Sequence, residues 1–197
     1  MRHQFEPLHR DLWVTPHPEA DRLAAWCAAF DREGLTPDVG GASAGNLSVR
    51  TARGFLITAS RTASKRALVA DDFVEVIRVE VFGTARGVVH FHARAGLVPS
   101  SDTLMHHAIY CARTDVAAVF HGHDPSVLAA GTALGVPVTG RETPYGSLED
   151  ASETARELAG HDYIIRKNHG FVACGRDLDH AGRLALAVHL RARALGF

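Results

Sequence analysis

The apolar run Val116-Ala-Ala-Val-Phe120 passes without a spacer into His121-Gly122-His123-Asp124-Pro125. The run predicts a buried strand. Asp followed by Pro predicts a helix start, with Asp as the cap and Pro at the first helical position. A strand that turns into a helix at once must lay that helix back against a sheet, so the chain is constrained to a layered α/β or α+β arrangement.

The rest of the chain supplies the other layers. Leu23, Trp26, Cys27 and Phe30 recur at helical spacing between Pro18 and Glu33, and the pattern stops at Gly34. Leu47–Arg50 and Phe55–Thr58 predict a hairpin around Ala52-Arg53-Gly54, and Phe73–Val81 alternates as a half-buried strand does. Ser101–Ala112 predicts a helix with a serine cap, Val136–Thr139 a strand, and Ser147–Ala159 a helix. Tyr163-Ile-Ile and Phe171-Val-Ala-Cys174 predict strands on either side of Lys167-Asn-His-Gly170, and a helix from about Asp177 to Ala194 closes the chain. No linker, repeat or low-complexity tract divides residues 1–197, so one domain is expected. Strand order is not readable from these patterns.

Composition excludes more than it selects. A net charge of −1 argues against a nucleic-acid binder, which usually carries a basic stripe. No stretch approaches the ~20 apolar residues of a membrane span. The opening Met1-Arg-His-Gln-Phe-Glu-Pro lacks the apolar core of a signal peptide. Cys27, Cys111 and Cys174 are scattered and odd in number, which fits free thiols in a reducing compartment. The expected location is the cytoplasm.

Several short motifs can carry chemistry, and each has a plainer explanation. His121 and His123, two apart on a strand, would face one side ~6.5 Å apart, close enough to share a metal ion. Catalytic zinc typically has three protein ligands and an open position, so a third must come from elsewhere. With 13 histidines in the chain, such pairs also arise by chance, and His90-Phe-His92 is another. The first pair is favoured because it lies at the end of a strand, where ligand sites of α/β sheets gather. His169 sits at a tight turn, where a histidine is often merely solvated. Pro99-Ser100-Ser101-Asp102 can be a helix cap and nothing more, or a phosphate cradle with a general base beside it. Gly45-Asn46-Leu47-Ser48 reads as a turn before a strand. Ser60 and Arg61, with Lys65 and Arg66, read as a solvated basic loop or as phosphate donors, and Tyr145 as a packed aromatic or a phenolic acid.

The order of these motifs is more specific than any one of them. Gly-Asn-Leu-Ser, Ile57-Thr-Ala-Ser60, Pro-Ser-Ser-Asp, His-Gly-His, Pro144-Tyr145 and Asn168-His-Gly follow one another from about Gly40 to Gly175. In this the chain resembles the class II aldolase/adducin family, and most closely its fuculose-phosphate aldolase branch. The resemblance implies a three-layer α/β/α domain with a mixed central sheet, and usually a homotetramer with sites between subunits.

It also implies one zinc ion per chain on His121, His123 and His169, and a proton-moving acid at Asp102. Gly45, Asn46, Ser60, Arg61, Ser100 and Ser101 would hold a substrate phosphate, and Tyr145 would reach a neighbour's site. His90 and His92 match nothing in the pattern and read as structural. The implied activity is a lyase that splits a 2-keto sugar 1-phosphate to dihydroxyacetone phosphate and an aldehyde. The alternatives are a 4-epimerase or a methylthioribulose-phosphate dehydratase on the same site, and a non-catalytic adducin-like scaffold, which lacks the metal histidines. Two positions depart from the branch pattern. Arg61 follows Ser60 where the loop usually has glycine, and Asp102 is the aspartate of the epimerase branch rather than a glutamate.

Overall fold

A computed structural model describes residues 4–12, 17–83 and 86–196. Met1–His3 of the opening segment and the terminal Phe197 lie outside them. One eight-stranded sheet organises the chain, in the order β1-β5-β4-β3-β2-β6-β8-β7. Its strands are β1 (Phe5–Leu12), β2 (Asn46–Arg50), β3 (Phe55–Thr58), β4 (Phe73–Phe82), β5 (Arg86–Ala93), β6 (Ala118–Gly122), β7 (Tyr163–Arg166) and β8 (Gly170–Gly175). The β1–β5 pair is parallel and the others are antiparallel, which makes the sheet mixed.

Period-two alternation decides which side each helix covers. Leu47, Phe120, Phe171 and Ala173 point to the side packed by α1 (Ala20–Arg32), α3 (Pro125–Ala130) and α5 (Leu178–Ala194). Ile57, Val119, Val172 and Cys174 point to the side packed by α2 (Thr103–Ala112) and α4 (Leu148–Glu157). Two apolar cores on opposite faces of one sheet make the three layers expected from the sequence. No helix among the described residues is long and apolar enough to cross a membrane.

Most helix starts follow their caps. Asp124 accepts from the N–H groups of Ser126 and Val127 with Pro125 at the first position, Ser147 accepts from Asp150, and Asp177 accepts from His180. The expected serine cap of α2 is different. The N-cap position falls on Asp102, whose side chain makes no capping bond. The expected strand Val136–Thr139 also does not form: Val138 makes a single bridge to Ile165, beyond the edge strand β7, too little pairing to extend the ladder. β1 and β5, which the pattern reading did not delimit, pair with each other at the far end of the sheet.

Candidate active site

The N-terminal ends of β2 and β8 and the C-terminal ends of β3 and β6 meet at one end of the sheet. Asn46 pairs in register with His121, and Gly122 with Phe171. A bridge from Ala59 to Pro99 brings the segment before α2 to the same place. Two glycines allow this crowding. A Cβ on Gly45, which sits at φ +71°, would lie 2.6 Å from the His121 carbonyl oxygen. A Cβ on Gly170 would lie 2.3 Å from the Gly122 carbonyl oxygen. Neither position has room for a side chain.

His121, His123 and His169 converge there, with one ring nitrogen of each within 4.8 Å of the others. Their ring centroids are 4.9 to 5.1 Å apart, close to an equilateral triangle. The His121 Nδ1–H donates to the Phe171 carbonyl at 2.7 Å, which leaves Nε2 bare as a ligand atom. Burial, reinforced by the Arg166 cation, pushes His121 well below the ordinary imidazole range and takes His169 down to about 3. Burial also lowers His123. All three rings are therefore neutral at pH 7, the form that binds a metal. Among the described residues no other group of three such side chains comes together. His90 is instead buried on β5 between Arg10 and Glu80.

Asp102 is buried beside this triad, its Oδ2 3.7 Å from His121 Nε2. Asn46 Nδ2–H donates to Oδ2 at 2.8 Å, while Oδ1 has no partner although it is buried. Burial alone would raise this carboxyl. Arg166 and the Asn46 hydrogen bond outweigh it and hold the group below the usual carboxylate range. A neutral three-nitrogen set with an orphaned carboxylate oxygen next to it fits a divalent ion with an open position.

A cavity of about 670 Å³ opens beside the triad, with His123 and His169 on its lining and His121 buried behind them. Gly45, Asn46, Ser60, Arg61, Ser100, Ser101, Asp102, His123, Tyr145 and His169 all line it, so the structure gathers nearly every residue singled out in the sequence. Tyr145 is exposed, and its ring centroid is 5.9 Å from that of His169 in the same chain. Lys65 is not a ligand donor: its ammonium is buried and donates to Ser43 O, Ser43 Oγ and Ala44 O beneath the loop. Arg61 sits in the left-handed region, at φ +60°. Asn168, next to His169, is the one other described non-glycine residue in that region, at φ +56°.

Sequence reading missed the support beneath the triad. Arg166 and Asp150 form a buried ion pair, Nη2 to Oδ2 at 2.6 Å. Arg166 Nη1 stands 3.4 Å from His121 Nε2. The available signal was a charged residue ending the apolar strand Tyr163-Ile-Ile, three positions before His169.

The fold and site define a three-layer α/β/α protein with a three-histidine pocket at one end of its sheet. The family model described as "Class II Aldolase and Adducin N-terminal domain" matches residues 21–195, so the chain belongs to the class II aldolase/adducin family and is an enzyme. It is 31% identical over 166 residues to the 5-methylthioribulose-1-phosphate/5-deoxyribulose-1-phosphate aldolase of Rhodospirillum rubrum, covering 74% of this chain and 67% of that protein. It is 40% identical over 94 residues to the methylthioribulose-1-phosphate dehydratase of Gluconacetobacter diazotrophicus, covering 48% of this chain and 39% of that protein. The l-fuculose-1-phosphate aldolase of Thermus thermophilus superposes with a TM-score of 0.66 at 25% identity, over 89% of this chain and 91% of that one.

Proposed function

We propose that the chain is a metal-dependent aldolase that splits a 2-keto sugar 1-phosphate into dihydroxyacetone phosphate and an aldehyde. The observation that carries this reading is the buried, unpartnered Oδ1 of Asp102 beside three converging neutral histidines. The aldolase activity of the Rhodospirillum rubrum relative supports it. A divalent ion on His121, His123 and His169, zinc by the nitrogen donor set and one per chain, would supply Lewis-acid polarisation of the substrate carbonyl.

The chain's own residues do the rest. Cleavage requires the C4 hydroxyl to lose its proton and the C3–C4 bond to break. The electron pair stays on C3, delocalised toward the C2 carbonyl, until a proton is returned to C3. In this reading the ionised Asp102 takes up the C4 hydroxyl proton as the C3–C4 bond breaks and returns it to C3, and in the reverse direction removes it from C3 of dihydroxyacetone phosphate and gives it to the new C4 oxygen. Asn46 and Arg166 keep the carboxylate ionised between turnovers. Tyr145 is the nearest phenol for the aldehyde oxygen. Ser60, Arg61, Ser100 and Ser101 form the wall that receives the phosphate, which anchors the reacting carbons over the triad.

The test is exchange of the dihydroxyacetone phosphate C3 proton with D2O. Asp102→Asn should retain the metal and lose exchange by about 100- to 10,000-fold. Full exchange in a metal-loaded Asp102→Asn enzyme removes Asp102 from the mechanism. A second reading, dehydration of methylthioribulose 1-phosphate, is favoured by the Gluconacetobacter diazotrophicus match. Loss of water from that substrate without release of an aldehyde would establish it. We further propose that residues 1–197 act as one domain and assemble as a homotetramer, which light scattering checks.

A further inference from the structure

Behind Asp102, away from the cavity, a line of polar side chains runs between α2 and β2. His106 and Tyr110 stand one turn apart on α2, and both meet Ser48 of β2. His106 Nε2 lies 2.5 Å from Asn46 Oδ1, and its Nδ1 lies 2.6 Å from Ser48 Oγ. Ser48 Oγ lies 2.8 Å from the Tyr110 hydroxyl. Ser48 and His106 have no solvent exposure, and Tyr110 has almost none.

Counting protons gives this line a direction. Asp102 can only accept, so Asn46 turns its Nδ2–H toward it and its Oδ1 toward His106. An amide oxygen also only accepts, so His106 Nε2 must carry a hydrogen. Burial pushes His106 down to about 3, so the ring is neutral and its Nδ1 is bare. Ser48 must then donate to Nδ1. Its single proton is spent there, so the contact with Tyr110 is one in which Tyr110 donates. The Val119 carbonyl, 3.5 Å from Ser48 Oγ, is too far to compete. Every bond points toward Asp102.

We propose that Tyr110, Ser48 and His106 form a one-way hydrogen-bond relay that fixes which end of the Asn46 amide faces Asp102, and so which carboxylate oxygen is left without a hydrogen-bond partner. An amide is nearly symmetric in shape, and a carboxylate that is free to rotate can evade a reversed amide, so a second fixed contact on the far side is what holds one orientation. With the amide reversed, Asn46 Oδ1 would face Asp102 Oδ2 oxygen to oxygen, and the carboxylate would have to rotate away. Asn46 is thereby a positioning residue, with both ends of its amide already engaged. His106 is the residue that sets its polarity. The proposal rests on Asp102 as the proton carrier.

Two measurements test it. The first is the 15N spectrum of histidine-labelled wild-type protein loaded with zinc. His106 should be the Nε2–H tautomer with an accepting Nδ1, whatever reaction the enzyme catalyses. An Nδ1–H tautomer or an imidazolium at His106 overturns the relay. The second compares His106→Gln, whose amide N–H can replace the donor to Asn46, with His106→Leu, which cannot. His106→Leu should lower the kcat for dihydroxyacetone phosphate proton exchange about ten- to hundredfold, because a small misplacement of a reacting group costs that much. KM and bound zinc should stay near wild type, and His106→Gln should recover most of the loss. Equal kcat in the two variants, or loss that tracks zinc content, reduces His106 to packing. Should His106→Leu not fold, Ser48→Ala decides: the relay requires the His106 Nδ1 resonance to lose the shift of a hydrogen-bonded acceptor, and an unchanged Nδ1 shift overturns it. A wild-type enzyme that exchanges no proton brings down the functional reading alone, and the nitrogen spectrum still decides the relay.

Discussion

One wall of the cavity is made of strand ends and the other of loop. His121, Asp102 and Asn46 are buried, and each is held by a backbone or side-chain partner. On the loop side, Val39, Gly40 and Gly41 are exposed and both glycines are left-handed, while the Asp38–Ser43 bridge and the Lys65 ammonium tie down the base of the loop. The buried wall is preorganised, so its groups do not have to move as charge develops on the substrate. The loop wall has few packed side chains and can adapt to what it binds. Changes in the first should therefore abolish turnover, and changes in the second should shift affinity.

The sharpest version of that contrast is removal of a histidine. His121→Ala and His169→Ala should each lose bound metal and with it all measurable aldol cleavage. His90→Ala, which removes a buried ring bonded to Glu80 and Arg10, should keep both. Metal analysis of the purified variants checks this. Metal loss in His90→Ala with retention in His121→Ala would mean that the wrong pair was chosen.

The support beneath the wall comes next. Asp150→Ala leaves the buried Arg166 guanidinium with the longer 3.9 Å contact to Asp102 Oδ2 as its carboxylate contact, and breaking a buried pair typically costs about 3–5 kcal/mol. The substitution should also weaken metal binding, because the less compensated charge then faces His121. Thermal melts and chelator competition report the two effects separately. Asp150→Leu combined with Arg166→Met removes both charges and should recover much of the stability. If the double variant melts no higher than Asp150→Ala, the pair is not what holds this region.

The two walls also differ in how far they could be read in advance. His-Gly-His after an apolar strand and Asp-Pro at a helix start are local signals, and both formed as expected. His169 was legible only as a turn histidine until the order of motifs gave it partners. Arg166, Asp150, His106, Ser48 and Tyr110 act through contacts 16 to 62 residues apart in sequence, for which no local spacing exists. β1 escaped because its partner β5 lies about 80 residues away. Val136–Thr139 misled because β-branched content says nothing about whether a neighbouring edge is available.

Arg61 tests the loop wall. A non-glycine residue in the left-handed region costs about 1–2 kcal/mol, and such strain at a site invites a functional reason. Arg61→Ala removes the guanidinium and keeps the strain. Affinity for a sugar phosphate should fall roughly ten- to a hundredfold, from the ~1.5–3 kcal/mol of a charged hydrogen bond. Arg61→Gly should lose the same affinity and melt higher than Arg61→Ala, since glycine adopts this φ without penalty. Unchanged KM in both variants would leave the phosphate to the serines, and an unphosphorylated substrate bound equally well would remove the sugar-phosphate assignment.

The smallest effect expected is that of Lys65, which holds the loop from below. Its ammonium has three oxygen partners, none of them a carboxylate, and burial pulls its pKa from 10.5 to about 8. For a base with a folded pKa below the unfolded one, the folding cost is fully present below about pH 8, where both states are charged. As pH rises from about 8 toward 10.5, the folded state gives up its proton while the unfolded state still holds one. Stability should therefore rise through that window, by about 3 kcal/mol at most for a shift of this size. Lys65→Met should remove the rise. Anion binding should run the other way. Below pH 8 the buried charge adds to the positive field under the loop, and above it that contribution disappears, weakening phosphate affinity by roughly two- to fivefold. Urea melts and inorganic phosphate titrations at pH 7 and pH 9, in both proteins, separate the two. A wild-type stability that stays flat between these pH values means that the three oxygens hold the Lys65 proton against burial, and the loop is then a permanently charged support.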